Sequence, residues 1–96
     1  MAQRTFLTIY GYVPEMSERR TPHRSAHLAH VKDAEASGRL TFAAATMDPV
    51  DAAFLVVAAP SEADVHAWVA SDPYMKAGLI RTVAIREITV VTGAHP

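Results

Sequence analysis

The sequence has 96 residues, half of them hydrophobic, and its nine basic and ten acidic side chains nearly cancel. This composition predicts one globular domain over residues 1–96, with a core from about 4 to 91, and argues against a nucleic-acid partner, which would require a basic surplus. Because the chain has no cysteine, disulfides, a thiolate nucleophile and a cysteine-based metal site are excluded. We also expect a cytoplasmic protein without membrane contact, because no signal-peptide pattern opens the sequence and its longest apolar run is too short to cross a bilayer.

The first third of the chain predicts a strand followed by a helix. Residues 4–12 alternate, with Phe6, Thr8, Tyr10 and Tyr12 on one face and Leu7 and Ile9 on the other. A polar connection over residues 15–20 follows. Thr21 is then placed as an N-cap, with Pro22 at the first helical position. The helix is predicted to run to Ser37 and to end at Gly38, which accepts a left-handed backbone.

The middle of the chain predicts two further strands and a second helix. Residues 39–46 form the second strand, and the apolar run 52–59 is typical of a central strand covered on both faces. Ser61 is expected to cap the second helix, whose buried stripe consists of Val65, Trp68 and Val69. Asp72 and Pro73 open a short helical turn that ends at Gly78, and residues 80–91 form the last strand.

The order β-α-β-β-α-β, with an extra short helix before the last strand, predicts an α+β ferredoxin-like fold. In that fold both helices lie on one face of a single antiparallel sheet. Since strand 52–59 is apolar on both sides, another surface must cover the opposite face. A second copy of the chain is the simplest cover, and we therefore expect a homodimer of the dimeric α/β barrel type.

The first helix contains the candidate acid or base. Helical spacing puts Leu28, Val31 and Glu35 on one side of this helix. His27 falls close to Val31 and beside Ala34, on the core side or its edge, and His23 and His30 lie toward solvent. His27 is then either a half-buried side chain satisfied by a backbone carbonyl or a general acid or base, the role for which imidazole is best suited near neutral pH. His23 and His27 also have a spacing that can share a metal, but no third ligand is apparent, so no metal site is predicted.

The segment before the last strand contains the candidate partner. Asp72 is either only the cap of a short helix or also an acid that works with His27. Tyr74 is either an interfacial aromatic residue or a group that binds a substrate oxygen, and His23 is a second candidate for substrate binding. Glycine-rich phosphate-binding motifs are absent, and no cofactor is expected.

A set of short motifs in matching order resembles the YCII-related family: His27-Leu28, Gly38-Arg39-Leu40, Asp72-Pro73-Tyr74, Ala77-Gly78-Leu79 and a final strand with Val-x-Ile. The resemblance covers nearly the whole chain. It implies a ferredoxin-like subunit, a dimeric α/β barrel, and a cleft in which His27 and Asp72 are the proposed catalytic pair. One branch of the family removes chloride from a chlorinated hydroxyquinol, and the barrel is similar to that of muconolactone isomerase.

The chain departs from the family pattern after the second strand, where Ala43-Ala44-Ala45-Thr46 replaces the Gly-Pro of many members. We therefore expect a different substrate if this segment lines the cleft. Two functions remain open. One is a cofactor-free isomerase or lyase, similar to a dehydrochlorinase, that transfers a proton on a small cyclic or aromatic metabolite through His27 and Asp72. The other is a non-catalytic ligand-binding or accessory dimer in which Asp72 is only a cap.

Overall fold

The computed structural model describes residues 3–93, which form one antiparallel sheet with helices packed on one face. The elements in chain order are β1 (Arg4–Tyr12), α1 (Met16–Arg19), a 3-10 turn (Thr21–His23), α2 (Arg24–Ala36), β2 (Leu40–Ala45), β3 (Ala52–Ala59), α3 (Glu62–Ala70), α4 (Pro73–Lys76) and β4 (Ile80–Glu87). The strand order β2-β3-β1-β4 is that of a ferredoxin-like fold, so the α+β prediction is confirmed. Over the described residues, none of the helices has the length and apolarity needed to span a membrane.

Strand β1 lies in the middle of the sheet and gives the core its centre. Its alternation is as predicted: Phe6 and Tyr10 are fully buried under the helices, whereas Leu7 and Ile9 are only half-buried on the opposite face. Pairing with β3 puts Val57 beside Phe6, which continues the buried face across the sheet. The register of β1 therefore decides which of its side chains can reach the helices.

Helix α3 closes the core over one half of the sheet. Its predicted stripe is buried, with Val65, Trp68 and Val69 all less than a tenth exposed. The Ser61 hydroxyl accepts a long hydrogen bond of 3.4 Å from the Asp64 amide, as expected for a cap. The glycines predicted to end helices, Gly38 and Gly78, have φ of 81° and 75°.

The segment between β1 and α2 differs from the prediction. It contains the short helix α1, because Met16 is almost fully buried and its carbonyl accepts a hydrogen bond from the Arg20 amide. Thr21 makes no capping bond, so its assignment as N-cap was wrong. The backbone is already helical at Arg20 (φ −75°, ψ −16°), whereas an N-cap residue needs an extended backbone.

Helix α2 buries His27, as one of the predicted positions for it allowed, but not Leu28 and Glu35. His27 and Ala34 are its buried residues, whereas Leu28 is 36% exposed and Glu35 lies at the surface. The spacing of seven residues puts His27 and Ala34 on one side of the helix. The small alanine side chain allows the helix to approach the sheet closely.

Strand β4 is shorter than predicted, because it ends at Glu87 rather than at Val91. Its last pair joins Glu87 to Phe6, and the final ladder bond runs from the Ile88 amide to the Thr5 carbonyl at 2.9 Å. The strand therefore ends where its partner β1 begins.

The second face of the sheet is open in a single chain. Phe42 is 55% exposed there and Phe54 36%, and the register places these side chains on the same face as Leu7 and Ile9. Among residues 3–93, helices therefore cover one face of strand β3 and nothing covers the other.

Candidate active site

Asp72 caps the short helix α4. Its backbone is extended (φ −65°, ψ 127°), its Oδ1 atom accepts a hydrogen bond of 2.9 Å from the Tyr74 amide, and Pro73 takes the first helical position. The sequence predicted this cap. The cap fixes the carboxylate at the junction between α3 and α4, where it faces the interior of the protein.

The same carboxylate binds two further side chains. Nδ1 of His27 lies 2.8 Å from Oδ1 of Asp72, and the Tyr10 hydroxyl donates to Oδ2 at 3.1 Å. Asp72 is fully buried, so water cannot replace these partners. A helix, a central strand and a capped turn thus meet at one carboxyl group, and residues 45 positions apart in the sequence come into direct contact.

The hydrogen bonds around Asp72 define the roles of the two imidazole nitrogens. An ionised carboxylate only accepts hydrogen bonds, so Nδ1 of His27 carries the proton that it donates to Oδ1. Nε2 has no hydrogen-bond partner among residues 3–93, and His27 lines the adjacent cavity. In the neutral imidazole this nitrogen holds the lone pair, which is the arrangement that a general base requires.

The Tyr74 ring holds the imidazole in place from one side. The two rings are parallel within 5°, and their centroids are 3.7 Å apart. Rotation of the His27 ring would break both this stacking and the hydrogen bond to Asp72. The imidazole is therefore oriented by two independent contacts.

A cavity of about 300 Å³ opens between α2 and the sheet, next to His27. Its walls come from β1, α2, β2, β3, α4 and the residue that follows α1. The residues that line it are Tyr10, Tyr12, Arg20, Arg24, His27, Leu28, Val31, Ala43, Ala44, Ala45, Ala53, Leu55 and Tyr74. The chain departs from the family pattern over residues 43–46, and the three alanines of this segment, but not Thr46, line the cavity. We expected a different substrate if this segment lines the cleft, and its three alanines do line the cavity.

Three buried tyrosines remain protonated around the site. Burial raises the pKa of Tyr10 strongly, and the neighbouring Asp72 charge raises it further. Burial also raises the pKa of Tyr12 and of Tyr74, against the opposing effect of the nearby Arg20 and Arg24 cations. Each phenol is therefore a hydrogen-bond donor at neutral pH, and Tyr10 uses its proton to hold Asp72.

The remaining histidines of α2 lie away from this chemistry. His23, at the start of the helix, is half-buried and is not among the residues that line the cavity. His30 was expected at the solvent side, but this was wrong, since its ring stacks on Trp68 with centroids 4.6 Å apart. Burial lowers its pKa. Within residues 3–93, no three histidine, aspartate or glutamate side chains form a group that could hold a metal ion.

Four residues of the cavity were missed by sequence reasoning. Tyr10 and Tyr12 were assigned to one strand face without a role, Arg20 was placed only in the polar connection over residues 15–20, and Arg24 was given no role. A signal for the arginines exists, because Arg20, Arg24 and His27 follow one another at helical spacings of four and three residues. No local signal identifies Tyr10 as a partner of Asp72, because that contact depends on the register of β1 against α4.

Comparison with known proteins gives one family match and several similar solved structures. The model of the YCII-related domain family matches residues 5–89. The solved structure of 5-chloro-2-hydroxyhydroquinone dehydrochlorinase from Burkholderia phenoliruptrix AC1100, in complex with 2,5-dihydroxybenzoquinone, is 25% identical, has a TM-score of 0.78, and the match covers 88% of this chain and 93% of that one. No curated protein matches the chain.

Two more distant structures support the fold alone. A NIPSNAP family protein from Agrobacterium tumefaciens C58 is 18% identical with a TM-score of 0.58, and the match covers 92% of each chain. A protein from Mycobacterium tuberculosis is 15% identical with a TM-score of 0.56, and the match covers 98% of this chain and 100% of the other.

Proposed function

The chain belongs to the YCII-related domain family, and from that premise we propose that it is a cofactor-free enzyme that transfers a proton on a small oxygenated ring compound. The observation that carries the proposal is the buried hydrogen bond of 2.8 Å between Nδ1 of His27 and Asp72, beside a cavity that His27 lines. A histidine oriented in this way has its second nitrogen available to a substrate.

In the proposed mechanism, Nε2 of His27 removes a proton from the bound compound. The positive charge that forms on the imidazole is stabilised by the Asp72 carboxylate, which Tyr10 and the Tyr74 amide hold in place. The electron pair of the broken bond moves into the ring system. In an isomerisation the proton then returns at another atom, whereas in an elimination the electron pair expels a leaving group such as chloride.

The similar dehydrochlorinase narrows the choice of substrate class. That protein acts on a chlorinated hydroxyhydroquinone and was solved with a dihydroxybenzoquinone. A cavity of about 300 Å³ lies at the lower end of the range for small-molecule sites, which fits a single substituted ring. Because the alanines at 43–45 form part of the cavity wall, we propose that the substrate differs from the hydroxyquinol of the family's known branch.

Proton transfer can be tested before the natural substrate is known. The ring hydrogens of 2,5-dihydroxybenzoquinone are observed by NMR in D₂O, and we expect the protein to accelerate their exchange for deuterium. The His27→Gln variant should lose this acceleration, whereas His66→Gln, which changes an exposed histidine paired only with Glu62, should retain it. Chloride release from 5-chloro-2-hydroxyhydroquinone is measured in parallel.

The test also separates the enzyme from the alternative, a non-catalytic ligand-binding or accessory domain. If wild-type protein binds such compounds but accelerates neither exchange nor chloride release, Asp72 serves only as a cap and the binding function is correct. Equal acceleration by wild type and His27→Gln would assign the chemistry to another group.

We further propose that the enzyme is a homodimer. A second copy would cover the open sheet face with its own, so that Phe42, Phe54, Leu7 and Ile9 pack against the same residues of the other copy. The proposal rests on the uncovered apolar surface of one chain.

A further inference from the structure

We propose that the cavity selects a planar ring compound that carries a negatively charged oxygen group, and that Arg20 and Arg24 bind that group. The inference rests on the proposed function, since it concerns the cavity beside His27, and it names the charge of the substrate. Three separate features of the cavity lead to it.

The first feature is the sign of the charge in the cavity. Arg20 and Arg24 are the residues with a permanent charge that line it, and neither aspartate nor glutamate is among its lining residues. Neither arginine forms an ion pair with another side chain of residues 3–93. Asp72 is fully buried and already occupied by three donors. The cavity therefore presents uncompensated positive charge to a ligand.

The second feature is a buried donor that lacks an acceptor. Tyr74 lines the cavity and is 1% exposed, and its buried hydroxyl has no hydrogen-bond partner among residues 3–93. The Arg24 guanidinium lies close enough to lower the pKa of this phenol, both by its charge and by a side-chain contact that falls outside regular hydrogen-bond geometry. Because arginine can only donate, the hydroxyl proton of Tyr74 is still without an acceptor. Because an unpaired buried hydroxyl costs free energy, a ligand oxygen between these donors would satisfy the hydroxyl and the cation together.

The third feature is the apolar remainder of the cavity. Val31, Leu55 and Ala53 contribute walls without polar side-chain atoms. Such walls favour the faces of a flat ring, whereas an extended chain of polar groups would leave its hydrogen bonds unmade. The two arginines that line the cavity are suited to a carboxylate or an ionised hydroxyl on that ring, because the guanidinium forms paired hydrogen bonds to such oxygens.

Three compounds of nearly identical shape test the charge directly. Benzoate, benzamide and benzamidine differ mainly in their charge, which is negative, neutral and positive at pH 7. Binding is followed by NMR titration of the full chain, using the backbone amides that border the cavity. We expect benzoate to bind about tenfold or more tightly than benzamide, and benzamidine to bind most weakly, as charge-assisted hydrogen bonds predict.

Substitutions then assign the preference to the two arginines. Arg20→Gln and Arg24→Gln should each reduce the advantage of benzoate over benzamide severalfold, and the lysine variants should retain most of it. Arg19→Gln is the matched control, because Arg19 is exposed and does not line the cavity. Equal affinity for the three compounds, no binding of benzoate at millimolar concentrations, or an equal loss in Arg19→Gln would overturn the proposal.

The preference for benzoate over benzamide is a binding measurement and does not depend on whether the protein is catalytically active. The benzoate preference should persist in His27→Gln, which removes the proposed base and any positive charge on the imidazole. A preference for benzoate without catalysis would leave this inference intact and refute the proposed enzyme. Proton exchange at equal rates on neutral and anionic rings would support the enzyme and overturn the inference about charge.

Discussion

Truncation of Asp72 should destabilise the protein far more than the loss of an ordinary helix cap. Asp72→Ala removes the acceptor of three hydrogen bonds in one step, from His27, Tyr10 and the Tyr74 amide. Ser61→Ala is the matched control, because Ser61 also caps a short helix but lies at the surface. The difference between the two variants isolates the buried part of the interaction.

The expected magnitude follows from these contacts. Loss of a cap costs about 1 kcal/mol, and each buried donor left without an acceptor costs about 1–3 kcal/mol more. Removal of the carboxylate also relieves its own cost of burial, so the net loss should be about 3–5 kcal/mol, as for other broken buried pairs. Ser61→Ala should cost about 1 kcal/mol or less, since its capping bond is long at 3.4 Å.

Equilibrium urea unfolding at pH 7, followed by circular dichroism at one fixed protein concentration, measures the free energy of unfolding of each variant. Asp72→Asn should lie between the two, because its amide oxygen can accept from His27 and Tyr74 while its NH₂ donates to the Tyr10 hydroxyl. The asparagine variant would then keep the fold and lose the negative charge that stabilises a protonated His27. We expect it to lose proton exchange while remaining folded.

A loss in the free energy of unfolding that is no larger for Asp72→Ala than for Ser61→Ala would refute this expectation. Such a result would mean that His27 and Tyr10 find other partners or water when the carboxylate is absent. The orientation of His27 would then not depend on Asp72, and the pair could not act as proposed.

Three shorter predictions concern other parts of the molecule. Burial raises the pKa of Tyr10, Tyr12 and Tyr74 above the value of about 10 that a tyrosine has in the unfolded chain. The stability that they contribute is therefore complete below about pH 10 and is lost as the pH rises further. Tyrosinate absorbance should therefore appear together with unfolding, and its appearance in folded protein near pH 10 would contradict this. Gly38→Ala should lower the free energy of unfolding by about 1 kcal/mol in urea titrations, because φ is 81° there, and unchanged stability would exclude the strain. Phe54→Asp should convert a dimer into monomers in light scattering, and a monomeric wild type at micromolar concentration would remove the dimer proposal.

The sequence predicted those features that local chemistry determines. The alternation of β1, the cap at Asp72 and the helix ends at Gly38 and Gly78 each depend on a few adjacent residues, and all are found in the structure. Met16 shows the limit of such reasoning. A single apolar residue in a polar segment gives no periodic signal, and only its burial against the core explains helix α1.

The contacts between elements were harder to predict, because they depend on how the layers approach each other. Hydrophobicity favoured Leu28 for the core side of α2, but the helix turns instead so that Ala34 and His27 face the sheet. That rotation brings Arg24 to the cavity as well. The contact between His27 and Asp72 was anticipated from an acid and a base on separate predicted elements and from the family resemblance, and the Tyr10 contribution was not anticipated at all.

The stacking of Trp68 on His30 gives the protein an intrinsic fluorescent reporter. The chain has a single tryptophan, so its emission comes from one place, where α3 meets α2. A protonated imidazole in van der Waals contact quenches indole emission, and burial lowers the pKa of His30, so this quenching is confined to more acidic solutions than for a free histidine. His30 lies one turn beyond His27 on the same helix. A displacement of α2 upon ligand binding is therefore visible in unlabelled protein as a change in emission intensity.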